Sequence, residues 1–443
     1  MFKQKRVAIW TAILIIIAFS AILIGRLNVS SIAGEPYEKI KIFAEVLTLI
    51  KKNYVDEIKD DKDLIYGAIK GMINSLDPHS SFMPPEAFKE MQVDTKGEFG
   101  GLGIQIGVKD NLLTVIAPIE DTPAYKAGIK AGDKIIKING ESTRNMSIND
   151  AVTKLRGHKG TSVTITIMRE EFEEPRDFTM VRDIIKIHSV KSKVIDEKIG
   201  YIKLTQFQEK TDEELEKALE SLNKEKINSL ILDLRNNPGG LLNTAIEVTN
   251  YFLPTGKLVV YIKGRNEERI DYNTTDGKQK YEYPMIVLVN EGSASASEIV
   301  AGALQDWQKA VILGTPTFGK GSVQTVIPLS DGSGLRLTTA RYYTPKGRSI
   351  QTKGIEPDIV VKPKTKKGKE KGHPIIREKD LEKHLENEQI KDDKEIDKDK
   401  DKEKEDVTVE EPVDVSEQDD VQLQRAIDIL KTWKILKELP KAG

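Results

Sequence analysis

Three serines fall within five residues in Gly292-Ser293-Ala294-Ser295-Ala296-Ser297-Glu298, directly after the apolar run Met285 to Val289. A serine hydroxyl becomes a competent nucleophile only when a base removes its proton. The five histidines (His79, His158, His188, His373 and His384) lie outside this stretch and its neighbouring motifs, so a Ser-His-Asp arrangement is not favoured. The candidate base is a lysine instead. Thr317-Phe318-Gly319-Lys320-Gly321 sets Lys320 between two glycines, 25 positions after Ser295. An amine withdrawn from water gives up its proton more readily, which fits a lysine for this work. Gln324 follows four residues later, within reach to orient the amine. The serine turn leads into an expected helix from Ser297 to Trp307, with Ser297 available as its cap. The free N–H groups at such a helix start favour a developing negative charge.

The elements that must hold these groups alternate along the chain. Strands are expected at Ile199 to Leu204, Ser229 to Leu234, Lys257 to Lys263, Met285 to Val289 and Ala310 to Leu313. Helices are expected at Thr211 to Leu222, with Thr211 and Glu214 as a capping box, and at Leu241 to Phe252. Such alternation predicts an α/β layer with a substantially parallel sheet. Chemistry in these sheets gathers beyond the carboxyl ends of the strands. That points to the residues after Val289 and to Asp233-Leu234-Arg235-Asn236-Asn237-Pro238-Gly239-Gly240. The paired glycines let an N–H point into the site, and Asp233 and Arg235 are expected to make structural contacts.

Several function classes drop out. Gly314 to Lys320 fits the start of a phosphate-binding loop, but Gly321 stands where that motif needs Ser or Thr, and Val323 to Leu329 reads as a strand rather than a helix. Lysine and arginine total 68 against 70 acidic residues, which leaves no electrostatic footprint for nucleic acid. The chain has no cysteine and no HExxH-like spacing. Thiol catalysis is therefore excluded, and neither a metal nor a cofactor is expected.

Outside this core the pattern changes. Residues 97–182 read as short strands and turns, a compact mixed α+β unit. It carries Gly101-Leu102-Gly103-Ile104, the later Pro123-Ala124 and Ala127-Gly128 pairs, and Gly132-Asp133 with Ile135. Residues 35–96 read as a helical region, in which Ile40, Phe43, Val46, Leu47 and Ile50 share a face. At the N-terminus, Lys3, Lys5 and Arg6 precede an uncharged run from Val7 to Ile24. At about 1.5 Å per residue this run nearly matches a bilayer core of ~30 Å. Residues 1–26 are thus expected to be a cytoplasmic flank and a transmembrane helix, with everything after Arg26 outside the cytoplasm. A cleaved signal peptide and a secreted product form the alternative. Residues 362–410, rich in Lys, Glu and Asp, are expected to be disordered. Residues 411–443 hold an amphipathic helix on Val421, Leu423, Ala426, Ile427, Ile429 and Leu430.

Taken together, these blocks resemble the C-terminal processing peptidases, or tail-specific proteases, from about residue 35 to 362. The resemblance rests on the serine-alanine run around Ser295, on Phe318-Gly319-Lys320-Gly321 with Gln324, and on Leu232 to Gly240. It implies a Ser295/Lys320 dyad with Gln324 as third member. It also implies an oxyanion hole from the Ala296 N–H and that of Gly239 or Gly240, a choice it leaves open. Residues 97–182 resemble the PDZ domain that this family inserts before its catalytic part, 183–361. Gly101, Leu102, Gly103 and Ile104 would then bind a peptide carboxylate, and Arg156 would couple PDZ position to the active site. The implied fold is an α/β catalytic core with an inserted mixed α+β PDZ domain, an N-terminal helical region and an N-terminal transmembrane helix. The implied function is a serine endopeptidase acting on extracytoplasmic proteins or unstructured C-terminal segments. Its partners would be those substrates, the membrane through the N-terminal helix, and a second copy in a homodimer. The alternative is a membrane-anchored PDZ adaptor without enzymatic activity. His79, in Leu76-Asp77-Pro78-His79-Ser80, is read as structural.

Overall fold

The computed structural model describes residues 38–109, 111–196, 198–275, 282–364, 376–390 and 419–438. Two compact units divide after Ser75. In the first, the described residues form helices at 38–53 and Lys62–Asn74. The expected transmembrane run, Val7 to Ile24, lies outside the described residues. Among those described, no helix is long and apolar enough to cross a membrane.

The second unit is built on a six-stranded sheet. Its order is Val190–Ile195, Ile199–Leu204, Ser229–Asp233, Met285–Val289, Val311–Gly314 and Ile359–Val360. Every neighbouring pair is parallel except the first, which is antiparallel. The two central strands, Ser-Leu-Ile-Leu-Asp and Met-Ile-Val-Leu-Val, are buried at every position. Continuous apolar runs of this kind belong to strands covered on both faces. Helices Thr211–Lys224, Leu242–Asn250 and Ala296–Asp306 pack with one face, where Leu215, Val248 and Val300 join Leu232 and Val287 in a common core. On the other face Leu423, Ala426, Ile427 and Leu430 of helix Val421–Glu438 pack with Ile231, Ile286 and Leu288. Arg235 fastens the start of that helix by donating to both carboxylate oxygens of Asp420, at 2.9 and 2.8 Å.

A second, antiparallel sheet abuts the first. Gly334–Tyr343 pairs with Ser81–Met83, Leu258–Gly264 and Ser322–Pro328, and Arg269–Asn273 pairs with Leu258–Gly264. The strand expected at Lys257 to Lys263 is present, but it lies here and not in the parallel sheet. Local composition sets a strand and does not name its neighbour.

Between helix Pro85–Lys96 and the catalytic sheet, the chain forms a five-strand path: Ile104–Lys109, Leu112–Pro118, Lys134–Ile138, Ser162–Met168 and Arg176–Val181. Ile135, Ile138, Ile165 and Ile167 are fully buried at its centre with Leu113 and Val115. The helix into this unit runs to Lys96. It stops at Gly97, whose φ of +69° serves the left-handed cap.

The disorder expected for 362–410 fails over residues 376–390. Glu378 and Asn387 are buried, and Gln389 accepts the Ser349 N–H at 2.9 Å. Average charge predicted a solvated segment, yet its acids have specific partners. Glu378 meets His79 and Gln351, and Glu388 meets Arg341 and Tyr343.

Candidate active site

The strand Met285–Val289 ends in the serine turn, and the flanking serines are stitched into structure. Ser293 donates its hydroxyl to the Leu234 carbonyl at 2.8 Å and accepts the Asn290 N–H. Ser297 donates to the Asn237 carbonyl at 2.9 Å. Ser297 is therefore not the helix cap expected from sequence. The helix begins at Ala296, and Ser295 holds the N-cap position. Ser295 has φ +55° and ψ −112°, an unusual conformation for a residue with a side chain. Such backbones cost roughly 1–3 kcal/mol and persist where the surroundings enforce them. Its side chain faces the buried Tyr342 hydroxyl, whose pKa burial pushes up to about 12 and contact with Ser295 pulls down.

Glu298 provides the enforcement. Its carboxylate is fully buried. Oε2 accepts the Ser295 N–H at 2.7 Å and the Lys320 N–H at 3.0 Å. Oε1 accepts the Gly319 N–H at 2.7 Å and the Thr317 hydroxyl at 2.5 Å. One carboxylate thus ties the main chain of the serine to that of the lysine. Burial pushes its pKa up to about 7, while the four donors pull toward the charged form. The sequence reading gave Glu298 no role, although Ser295-Ala-Ser-Glu298 is the S-x-x-E spacing of a capping box.

Burial holds the Lys320 amine below the usual lysine range, and the positive Arg336 adds to the effect. Glu378, Glu298 and Asp77 oppose it. Among the described residues, Lys320 makes no side-chain hydrogen bond to Ser295 or Gln324. The Gln324 amide instead donates to Ser322 at 2.9 Å and, at 3.4 Å, to Thr338. Thr338 donates in turn to Asp77 at 3.0 Å.

The glycine pair after strand Ser229–Asp233 lies against the serine. A Cβ on Gly239 would come within 2.9 Å of Ser295 Cβ and 3.0 Å of the Ala296 nitrogen. Gly239, at φ +100°, is therefore glycine for lack of room as well as for backbone freedom. Its own N–H is taken by Asn237 Oδ1 at 2.9 Å. The N–H groups of Gly240 and Ala296 have no acceptor among the described residues.

In the five-strand unit, Gly103 has φ +75°, and a Cβ there would strike Thr122 at 2.3 Å. Leu102 is buried and its carbonyl accepts the Ala124 N–H. The N–H groups of Leu102 and Gly103 find no acceptor among the described residues. They border a groove of about 70 Å³ that Gly101, Ile104, Ile106, Leu155 and Arg156 also line. The Arg156 guanidinium lies 4.6 Å from the centre of the Phe99 ring. Among the described residues, no cluster of acids and histidines is arranged to hold a metal ion.

Residues 198–361 match peptidase family S41, 114–169 match the PDZ domain, and 26–87 match the N-terminal domain of the activating protease CtpB. A carboxy-terminal-processing protease of Bartonella bacilliformis is 47% identical over 361 residues, 80% of this chain and 82% of that protein. The carboxy-terminal processing protease CtpA of Bacillus subtilis is 42% identical over 70% of this chain and 66% of its own length. A solved photosystem II D1 C-terminal processing protease is 31% identical, covering 72% of this chain and 92% of its own, with a TM-score of 0.43.

Proposed function

The chain belongs to peptidase family S41, among the carboxy-terminal processing proteases, and on that premise we propose that it cleaves peptide bonds with Ser295 as nucleophile and Lys320 as general base. The observation that carries this reading is the Glu298 carboxylate, which accepts the main-chain N–H groups of both residues, at 2.7 and 3.0 Å. It brings together two positions 25 apart in sequence. The flanking serines also have structural partners, which leaves Ser295 as the hydroxyl available for attack.

Neutral Lys320 takes the Ser295 proton as the serine oxygen attacks the substrate carbonyl. The oxyanion forms against the N–H groups of Ala296, the residue after Ser295, and of Gly240, both without an acceptor among the described residues. The lysine ammonium then gives its proton to the leaving amine, and water releases the acyl group. Gln324 spends its amide nitrogen on Ser322 and Thr338, which leaves its carbonyl oxygen to accept from the lysine. Its orienting role runs through that oxygen.

The PDZ groove takes the substrate's C-terminal carboxylate on the Leu102 and Gly103 N–H groups, with the peptide adding beside Ile104. Arg156, at the groove wall, answers to the occupant and couples it to the protease core. The substrates are extracytoplasmic proteins with unstructured C-terminal segments. Val7 to Ile24 anchors the chain in the membrane, and the exposed apolar face of residues 38–53 favours pairing of two copies.

The test incubates the full-length chain and its Ser295→Ala and Lys320→Ala variants with casein. Cleavage by the parent alone is expected. Equal cleavage by all three sinks the dyad. No cleavage by any, with retained binding of C-terminal peptides, supports a PDZ adaptor instead.

A further inference from the structure

Glu378 is a fully buried carboxylate that the chemistry above does not use. It lies beyond residue 361, in the charged stretch that composition assigns to solvent. Its main-chain N–H and one of its carboxylate oxygens lead back to the loop that carries Lys320. Its own N–H donates to the Phe318 carbonyl at 3.2 Å. Oε1 accepts the Gln351 amide at 2.7 Å. Gln351 Oε1 in turn accepts the Gly321 N–H at 3.0 Å, one residue past the lysine. The next residue, Thr352, donates its N–H to the Gly319 carbonyl at 2.8 Å. Gln351 is itself fixed by the strap, donating to the Leu385 carbonyl at 2.9 Å and accepting from Asn387 at 2.7 Å. Glu378 Oε2 faces His79 Nε2 at 2.7 Å. His79 sits in a segment pinned by Asp77, which accepts the N–H groups of His79 and Ser80, each at 2.9 Å.

Glu298 holds the lysine loop from the serine side, through the N–H groups of Gly319 and Lys320. On the other side, Glu378 takes the Phe318 carbonyl and Gln351 the Gly321 N–H, beside the Phe318 N–H bond to the Ser293 carbonyl at 3.1 Å and the Tyr342 N–H bond to the Gly321 carbonyl at 2.7 Å. We propose that Glu378, braced by His79, is a positioning residue for catalysis, and that residues 376–390 are a strap completing the lysine site. This inference rests on the reading of Lys320 as the base and adds to it. A buried carboxylate with two defined partners holds geometry more rigidly than an apolar plug, because each oxygen has one place to go. Glu378 also contributes negative charge near the amine. The charged groups that bear on Lys320 are Arg336 on one side and Glu378, Glu298 and Asp77 on the other. Those facing Glu378 are Lys320 and His79.

The experiment compares the full-length parent with Glu378→Gln, Glu378→Ala and the exposed control Lys379→Ala. It measures Ser295-dependent kcat and KM, the pH profile of kcat/KM, thermal unfolding, and amide exchange over residues 317–322. In Glu378→Ala we expect kcat to fall about tenfold or more with KM within about twofold, and exchange at 319–321 to rise while strand Met285–Val289 stays protected. In Glu378→Gln, which keeps shape and one acceptor, the acid limb should move to lower pH. The lost negative charge had favoured the lysine ammonium. Lys379→Ala should match the parent. Unchanged kcat, acid limb and exchange in both Glu378 variants would overturn the proposal. So would a fall in activity that only tracks the unfolded fraction. If the parent shows no Ser295-dependent turnover, the dyad reading fails on its own, and the exchange measurement still decides whether Glu378 holds the loop.

Discussion

Among the described residues, the turn at Leu102 and Gly103 and the turns at Gly240 and Ala296 hold main-chain N–H groups without an acceptor, and they differ in what surrounds those groups. At Leu102 and Gly103 the neighbours are apolar, with Ile104, Ile106 and Leu155 along a narrow groove. At Ala296 and the adjoining glycine turn the neighbours include Ser295 at positive φ and the buried Glu298 carboxylate, which also holds the Lys320 main chain. Both places suit an oxygen carrying negative charge. On the proposed reading, the first only holds one, whereas the second stands beside the groups that create one. Unpaired amides mark where an anion sits, and the buried titratable groups around them separate binding from chemistry.

The comparison can be broken from either side. Gly240→Ala puts a Cβ 2.1 Å from the Phe207 carbonyl oxygen at φ +145°, so the turn must shift. With an oxyanion donor displaced, kcat should fall by about 10²–10³-fold while KM changes little. An unchanged kcat in a folded variant would remove Gly240 from the site. Gly103→Val drives a side chain into Thr122 and should close the groove. KM for a protein with a free apolar C-terminus should rise by about tenfold or more, and turnover of a short internal peptide should persist. If the variant instead lost kcat on both substrates with its fold intact, the two turns would not be separable.

The smallest effect concerns the charge beside the lysine. Lys320 must be neutral to act, so activity falls as pH drops through its lowered pKa. Glu298, with its pKa pushed up to about 7, loses charge in the same direction. A protonated Glu298 would need an acceptor, yet three of its four partners are main-chain N–H groups, which only donate. Both groups work deprotonated, so the acid limb should be steeper than a single ionisation gives. Arg336→Gln removes a positive charge that disfavours the ammonium. It should move the lysine part of that limb to higher pH. No movement in a pH series would show that burial alone sets the amine.

Residue type and spacing carried the serine and lysine blocks, because each is a short local signal. The same holds for the central strands, whose unbroken apolar runs announce burial on both faces. Glu298 was legible as a capping spacing, but its reach to Gly319 and Lys320 depends on how two distant segments meet. Tyr342 belongs to a strand whose outward pattern resembles any other, and only tertiary packing sets it against Ser295. The preference for Gly240 over Gly239 as an oxyanion donor rests on the Asn237 side chain taking the Gly239 N–H, a pairing no sequence pattern displays. Glu378 was concealed by its setting, since one buried acid among many solvated ones leaves no trace in composition. The strand Leu258–Gly264 was visible as a strand, while its sheet was decided by partners elsewhere in the chain.

The central claim is that Lys320 activates Ser295 and no other serine of the run. The direct test labels the full-length chain and its Lys320→Ala variant with a fluorophosphonate, then locates the adduct by peptide mass spectrometry. The account predicts a single adduct on Ser295 in the parent and little or none in Lys320→Ala. An adduct on Ser293 or Ser297, or equal labelling of Ser295 without the lysine, would contradict it.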